Sequence, residues 1–278
     1  MRTFHVEVAR AEVVLDKILA VGDPSGLGKL KGIPTVDPTY GMPGLWIDSL
    51  QIPQAEQQGC LVFNTVSVIA TLLMEKTRAH APELLQLTEL RRLLGQQNEA
   101  LVREVIPGRA SVSQLREVLR GLLAERVSIR ELGSILECLA KVEPGSSTQS
   151  MVESVRVSLS PQIYREHLTS DGSLNVIALD SALEHALQKA FWPLDSDETS
   201  FVNEELGREI VESLLPLIEA TLEKNLQPII LTTPPLRLLL RKLALRSFPN
   251  IVILSWDEIP TGVNPKCVGT ARLGEPNV

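Results

Sequence analysis

The stretch "GDPSGLGKL", residues 22–30, brings glycines and a lysine into a spacing that could cradle a phosphate. A phosphate loop places four residues between its first glycine and a Gly-Lys pair, then a hydroxyl residue that holds magnesium. Here five residues separate Gly22 from Gly28-Lys29, Leu30 stands where the hydroxyl belongs, and no clear apolar strand leads in. The stretch therefore reads as a flexible turn. The histidines are His5, His80, His167 and His185. None forms an H-E-x-x-H pair or lies beside a cysteine, so neither a zinc centre nor a Cys/His nucleophile is supported. Cys-x-x-Cys redox chemistry and a G-x-S-x-G serine elbow are both missing from the sequence. No catalytic residue, metal ligand set or cofactor site emerges.

The totals narrow the class. A chain of 278 residues with 44% hydrophobic and 22% charged residues fits a soluble globular protein of several modules. Against 27 basic residues stand 34 acidic ones, a net charge of −7. That balance argues against a broad nucleic-acid or anionic-membrane surface. Cys60, Cys138 and Cys267 are odd in number and far apart, which fits a reducing cytosol rather than a disulfide framework. "MRTFHVEVAR" has a glutamate where a signal peptide needs an apolar core. "LVFNTVSVIATLLM" is interrupted by Asn64, Thr65, Ser67 and Thr71, whereas a spanning helix needs about 20 mostly apolar residues.

Periodicity then places the elements. Phe4, Val6 and Val8 alternate as in a short strand. Residues 22–44, dense in Gly and Pro, predict loosely folded loop with fixed turns. A helical pattern runs over Val66–Met74 and resumes from Ala81. Val112, Leu115, Val118, Leu119, Leu122 and Leu123 form a helical stripe behind a Ser111/Gln114 capping box. Ser128 and Glu131 predict a second capped helix carrying Leu132, Ile135, Leu136 and Leu139, which ends before Pro144. "GSSTQS" (145–150) reads as a hinge. Beyond it, "LNVIALD", "PIIL" (228–231) and "IVIL" (251–254) read as buried strands. Between them come a helix capped by Ser181 and Glu184, and one opened by Pro234-Pro235 with Leu236, Leu239, Leu240 and Leu243 inside. Crossovers of that length predict parallel pairing, hence a small α/β sandwich over 165–272.

"TVDPTYGMPGLWI", residues 35–47, concentrates rigid turns and large rings in a chain with only 4% aromatic residues. It reads either as a loop pinned by buried rings or as a preformed docking groove for another protein. In the helices of 109–141, Arg109, Arg116, Arg120, Arg126, Arg130 and Lys141 are interleaved with Glu117, Glu125, Glu131 and Glu137. A helix that reads DNA is more one-sided; this pattern fits a solvated face or a charge-complementary partner. The residues alone give a soluble, multi-module interaction protein and no enzyme.

The order of motifs adds a resemblance. "TVDPTYGMPGLWI", "VIATLL", "LLAERVSIRELGSILECLA", "VRVSLSPQI", "VIALDSALE" and "PIILTTPPLRLLLRKL…FPNIVILSWDEI" together resemble the cytoplasmic region of the type III secretion export-gate family, FlhA and SctV, over essentially the whole chain. The resemblance implies a mixed α/β and α, multi-subdomain fold. An N-terminally incomplete α/β first subdomain (1–15 and 65–84) holds an inserted second subdomain (16–64). A helical third (85–164), an α/β fourth (165–272) and a tail (273–278) follow. It also implies an N-terminal transmembrane region that this sequence lacks, placing the chain at the cytoplasmic face of the bacterial inner membrane.

The resemblance further implies self-assembly into a homo-nonameric ring, for which Arg116, Glu125 and Arg130 are candidate contacts. Export chaperones carrying substrates dock between the first two subdomains in this family. The matching positions are Asp37, Pro38, Tyr40, Gly41 and Thr71. Pro38 fixes its own φ and biases Asp37 toward extended backbone, so the expectation is a carboxylate presented with little entropy to lose. Tyr40 offers a flat apolar face with a polar tip. Two departures stand out: Leu72 follows Thr71 where the family often has His, and Tyr40 replaces the phenylalanine of flagellar members. The resulting expectation is a non-enzymatic sorting platform of an injectisome that recruits chaperone–substrate complexes, gatekeeper and stalk proteins. It needs no cofactor, metal or nucleic acid. A small-molecule-binding enzyme built on the C-terminal α/β module is the alternative, and a DNA-binding regulator the third reading.

Overall fold

The computed structural model describes residues 2–3, 6–7, 10–190, 204–224, 226–244, 247–248 and 251–272. They belong to two compact units, Met1–Arg92 with Leu119–Arg126, and Leu93–Val118 with Val127–Val278.

The first unit opens on an antiparallel ribbon of β1 (Arg2–Thr3) and β2 (Val6–Glu7). Phe4 and Val8 of the expected strand lie outside the described residues. Then come β3 (Ile18–Val21), α1 (Pro24–Leu27), β4 (Gly32–Val36), β5 (Pro43–Ile47), α2 (Ile52–Gln57), β6 (Leu61–Asn64) and α3 (Thr65–Ala79), followed by α4 (Ala81–Leu84) and α5 (Leu87–Leu94). The strands form one antiparallel sheet in the order β4-β5-β3-β6. The loop expected over 22–44 is thus corrected: the segment contains a helix and the strands β4 and β5 pair across it. Its prolines permit this because of where they fall. Pro34 is on the edge strand and Pro43 is the first residue of β5, positions where a missing N–H interrupts little. At Gly32 a Cβ would come within 2.4 Å of the Trp46 carbonyl oxygen, so the close pairing of β4 and β5 requires glycine.

Strand alternation sends the apolar residues to two faces. Ala20 and Ile47 pack with Leu27, Leu30, Ala55 and Cys60 on one. Leu19, Val21 and Trp46 pack beneath Val68 of α3 on the other. Asn64 caps α3 by accepting from the Ser67 amide at 2.7 Å.

The second unit begins with helices: α6 (Glu99–Val105), α7 (Val112–Ala124), α8 (Leu132–Lys141), α9 (Thr148–Ser158) and α10 (Ser160–Glu166). Residues 112–118 of α7 belong to this unit and 119–124 to the first. The stripe expected on α7 is present, with Leu115, Val118, Leu119 and Leu122 all buried. Only half of its capping box forms. Ser111 Oγ accepts from the Gln114 amide at 3.0 Å, but the Gln114 side chain donates to the Ser146 carbonyl instead of turning back. The second box does not form: Ser128 Oγ accepts from the Arg130 amide at 3.4 Å, and α8 starts only at Leu132. Buried Val127 anchors the irregular segment between the two helices. The hinge expected at 145–150 is also corrected. Ser147 is the N-cap of α9, its hydroxyl accepting from the Ser150 amide at 3.1 Å, and Met151, Val152 and Val155 are buried behind it. Small polar residues that serve in linkers serve equally at helix starts.

The α/β part comprises β7 (Asn175–Leu179), α11 (Ser181–Ala190), α12 (Glu204–Glu223), β8 (Ile229–Thr232), α13 (Pro234–Ala244), β9 (Val252–Ser255) and β10 (Lys266–Ala271). As expected, the strands pair in parallel, in the order β10-β7-β8-β9. Ile177, Leu183, Leu187, Ile210, Leu214, Ile230, Leu236, Leu240 and Ile253 form the core between sheet and helices. At roughly 1.5–3 kcal/mol for each large apolar side chain removed from water, such a cluster is the main term holding this layer together. Asp180, not Ser181, caps α11 by accepting from the Ala182 amide at 2.8 Å. Helix α12 corresponds to no element expected from the sequence, although Ile210, Leu214 and Ile218 are spaced as a buried helix face. Among the described residues, no helix is long and apolar enough to cross a membrane.

Candidate functional site

Strands β4 and β5 are joined by the turn 37–42, and Asp37 organises it. The Asp37 amide donates to the Met42 carbonyl at 2.8 Å, and the Gly41 amide donates to the Asp37 carbonyl at 2.9 Å. The Tyr40 amide donates to Asp37 Oδ2 at 2.8 Å. Gly41 sits at φ +73°, which a β-carbon would oppose. Asp37 is only 8% exposed, so its carboxylate faces its own turn and is not presented outward as expected. Backbone carbonyls take two of the amides in this tight reversal, and the Asp37 side chain takes the third, that of Tyr40. Tyr40, by contrast, is 64% exposed. Of the two rings in this stretch, Trp46 is buried between β3 and α3 while Tyr40 stands in solvent. Pro38 is half-buried and Gly41 exposed beside it.

Thr71 lies on α3, one turn beyond Val68, whose side chain joins the Trp46 cluster. It is half-buried, and Leu72 next to it is buried. Asp37, Pro38, Tyr40 and Gly41 therefore share one turn, with Thr71 on the helix that covers the same sheet. Apolar side chains left in the open accompany them: Val36 and Met42 on the hairpin, and Val66, Ile69, Leu73 and Met74 on α3. Cross-strand register also aligns Ile33, Trp46, Leu19 and Phe63 on one sheet face, with the inner two buried and the outer two exposed. The exposed stripe of α3 was missed in the sequence. Its signal was a helix carrying apolar residues on two sides, which one core cannot absorb.

The candidate ring residues are dispersed. Arg116 and Arg130 lie in the second unit and Glu125 in the first. Arg116 bonds to its neighbour Glu117 through Nε at 3.2 Å and Nη2 at 3.0 Å. Arg130 is exposed and Glu125 half-buried.

At the C-terminal ends of the parallel strands, where α/β folds place ligands, Glu184 and Thr232 serve the scaffold, while the buried Thr233 hydroxyl has no hydrogen-bond partner among the described residues. Glu184 Oε1 accepts from the Thr232 hydroxyl at 2.9 Å and from the Thr233 amide at 3.1 Å. At the other end of β7, Asp171 is held below the usual carboxylate range by hydrogen bonds from Thr169 and Ser173, then by Lys266 at 3.2 Å. Burial raises the Cys138 thiol, which makes it a poor nucleophile. Among the described residues, no group of three or more His, Cys, Asp or Glu could hold a metal ion.

The FHIPEP family matches this sequence over residues 2–264. The chain belongs to the FHIPEP family. The flagellar biosynthesis protein FlhA of Bacillus subtilis is 30% identical over 271 residues, 96% of this chain and 40% of the relative. FlhA of Yersinia enterocolitica is 32% identical over 273 residues, 97% of this chain and 38% of the relative. The chain thus spans well under half the length of these FHIPEP relatives. The fold is that of the Chlamydia pneumoniae CdsV protein, also solved in complex with CdsO: for CdsV alone the TM-score is 0.79 at 24% identity, covering 96% of this chain and 78% of the other. Nonameric EPEC SctV-C matches with TM-score 0.74 at 23% identity, covering 96% and 82%. The mixed α/β, multi-subdomain architecture of this FHIPEP chain is therefore shared with both.

Proposed function

We propose that this chain is the cytoplasmic ring part of a type III secretion export gate, docking chaperone–substrate complexes, gatekeeper and stalk proteins and passing substrates to the membrane channel. The observation that carries the reading is Tyr40, an aromatic side chain held in solvent by a turn that its neighbour Asp37 closes. A ring presented on rigid backbone loses little entropy on contact, and tyrosine is among the residues that dominate interface energetics. The open apolar side chains of α3 supply the surrounding area that excludes water.

In this reading Asp37 sets the geometry, Pro38 and Gly41 frame the turn, and Tyr40 and Thr71 touch the partner. The four-subdomain division at 1–15 with 65–84, 16–64, 85–164 and 165–272 places these residues on the first two subdomains. Nine copies assemble as in EPEC SctV-C, with Arg116, Glu125 and Arg130 as contacts, and further proteins of the apparatus bind, as CdsO binds CdsV. An N-terminal transmembrane region of the full-length protein holds the ring at the inner membrane. The injectisome branch is part of this proposal. No observation favours the small-molecule enzyme.

The test is calorimetric titration of a cognate chaperone–substrate complex into the wild-type chain and Tyr40→Ala. The expected outcome is at least tenfold weaker binding with an unchanged melting temperature. Equal affinity from a properly folded variant overturns the docking site.

A further inference from the structure

Helix α9 meets the α/β layer of its own unit through charge as well as hydrocarbon. Glu153 and Arg156 are three residues apart on it, a spacing that puts both on one side of a helix. Glu153 receives Arg237 of α13 in a two-pronged contact, Nε to Oε2 at 2.8 Å and Nη2 to Oε1, and also accepts from Gln149 Nε2 at 2.7 Å. Arg156 Nη2 lies 2.6 Å from Glu258 Oε1, on the 3-10 turn Trp256–Glu258 that follows β9. The other oxygen of Glu258 accepts from the Ser255 amide at 2.7 Å. Arg237, Arg156 and Glu258 are 0%, 3% and 1% exposed, whereas the Glu153 side chain is 33% exposed.

The two pairs have opposite polarity: α9 gives the acid to one and the base to the other. We propose that they form a polarity-keyed lock that fixes α9 on the α/β layer in a single register, so that helical and α/β parts of this unit move as one body. Sliding α9 by one turn brings Arg156 toward Arg237, like charge against like charge in a desolvated contact. Buried ion pairs add little net stability compared with apolar replacements, yet removing Glu153 leaves the fully buried Arg237 without this counter-ion. The lock therefore acts on register. Partner-driven rearrangement of the chain must pivot elsewhere. This inference is independent of the docking role of Tyr40.

The experiment compares wild type, Glu153→Met, which leaves the buried Arg237 behind, and the double variant Glu153→Met/Arg237→Met by urea unfolding and hydrogen exchange. Glu153→Met is expected to lower the folding equilibrium constant about 100- to 1,000-fold, and the double variant to recover to within about tenfold of wild type. Wild-type amides of α9 and β8 are expected to exchange through one shared opening, whereas in the double variant α9 opens separately. Independent exchange of α9 in the wild type overturns the lock, and that measurement needs no variant to fold. A change under tenfold in Glu153→Met, or joint exchange retained in the double variant, overturns it as well.

Discussion

Asp37 Oδ2 accepts the backbone amide of Tyr40 at 2.8 Å, and this bond divides the labour between the two residues. The carboxylate is consumed inside the turn while the ring is left in solvent. Asp37→Asn keeps an acceptor oxygen and is expected to stay within about 0.5 kcal/mol of wild type in urea unfolding. Asp37→Ala removes the acceptor of an otherwise orphaned amide and is expected to lose about 1 kcal/mol. If Asp37 touched the partner directly, Asn and Ala would weaken chaperone binding alike; the structure predicts that Ala does so far more.

Two glycines of the same hairpin separate strain from collision. An added Cβ at Gly41 meets nothing within 4 Å, so Gly41→Ala carries only the cost of φ +73°, about 1–2 kcal/mol. At Gly32 the Cβ collides with backbone, and Gly32→Ala is expected to exceed Gly41→Ala by at least about 1 kcal/mol and to broaden the amide resonances of β4 and β5. Equal losses by chemical denaturation would contradict the close strand approach.

Arg126 adopts φ +61° just after α7, a position usually held by glycine. Its Nη2 lies 3.5 Å from Glu75 Oε2, a carboxylate that also binds Arg78 at 3.1 Å. Relief of left-handed backbone in Arg126→Gly, about 1 kcal/mol, outweighs a partly exposed ion pair of about 0.2–1 kcal/mol. The melting temperature of Arg126→Gly is expected to equal or exceed that of wild type. A clear drop would assign a larger role to the contacts of the Arg126 side chain, of which Glu75 is one.

The depressed pKa of Asp171 gives a signed pH effect. A carboxyl more acidic in the folded than in the unfolded state stabilises the fold above its unfolded value, near 3.9, and the contribution fades as pH falls through the folded value. The unfolding free-energy gap between wild type and Asp171→Asn should therefore be full at neutral pH and close only below about pH 4. A gap that is constant down to pH 2 would show that the Thr169, Ser173 and Lys266 contacts do not favour the charged form.

The α/β half was legible because buried parallel strands and their helices carry dense local signals: "LNVIALD", "PIIL" and "IVIL" fell where β7, β8 and β9 are. The small antiparallel sheet was not, since Gly32, Pro34 and Pro43 read as loop until their edge and terminal positions are known. Capping was legible only in part. Gln114 and Glu184 carry the right spacing for a box, but each finds a better partner across the fold, Ser146 in one case and Thr232 in the other.

Local chemistry in the sequence set what this chain could become: helix stripes, strand alternation and a rigid aromatic-bearing turn. Which face of that turn meets solvent was decided in three dimensions. Strand pairing buried Trp46 and the carboxylate of Asp37, and left Tyr40 outside. Side-chain periodicity is a property of a few neighbouring residues, whereas exposure depends on what distant segments cover. Glu153 and Arg237, 84 positions apart, meet only because two folded layers bring them together.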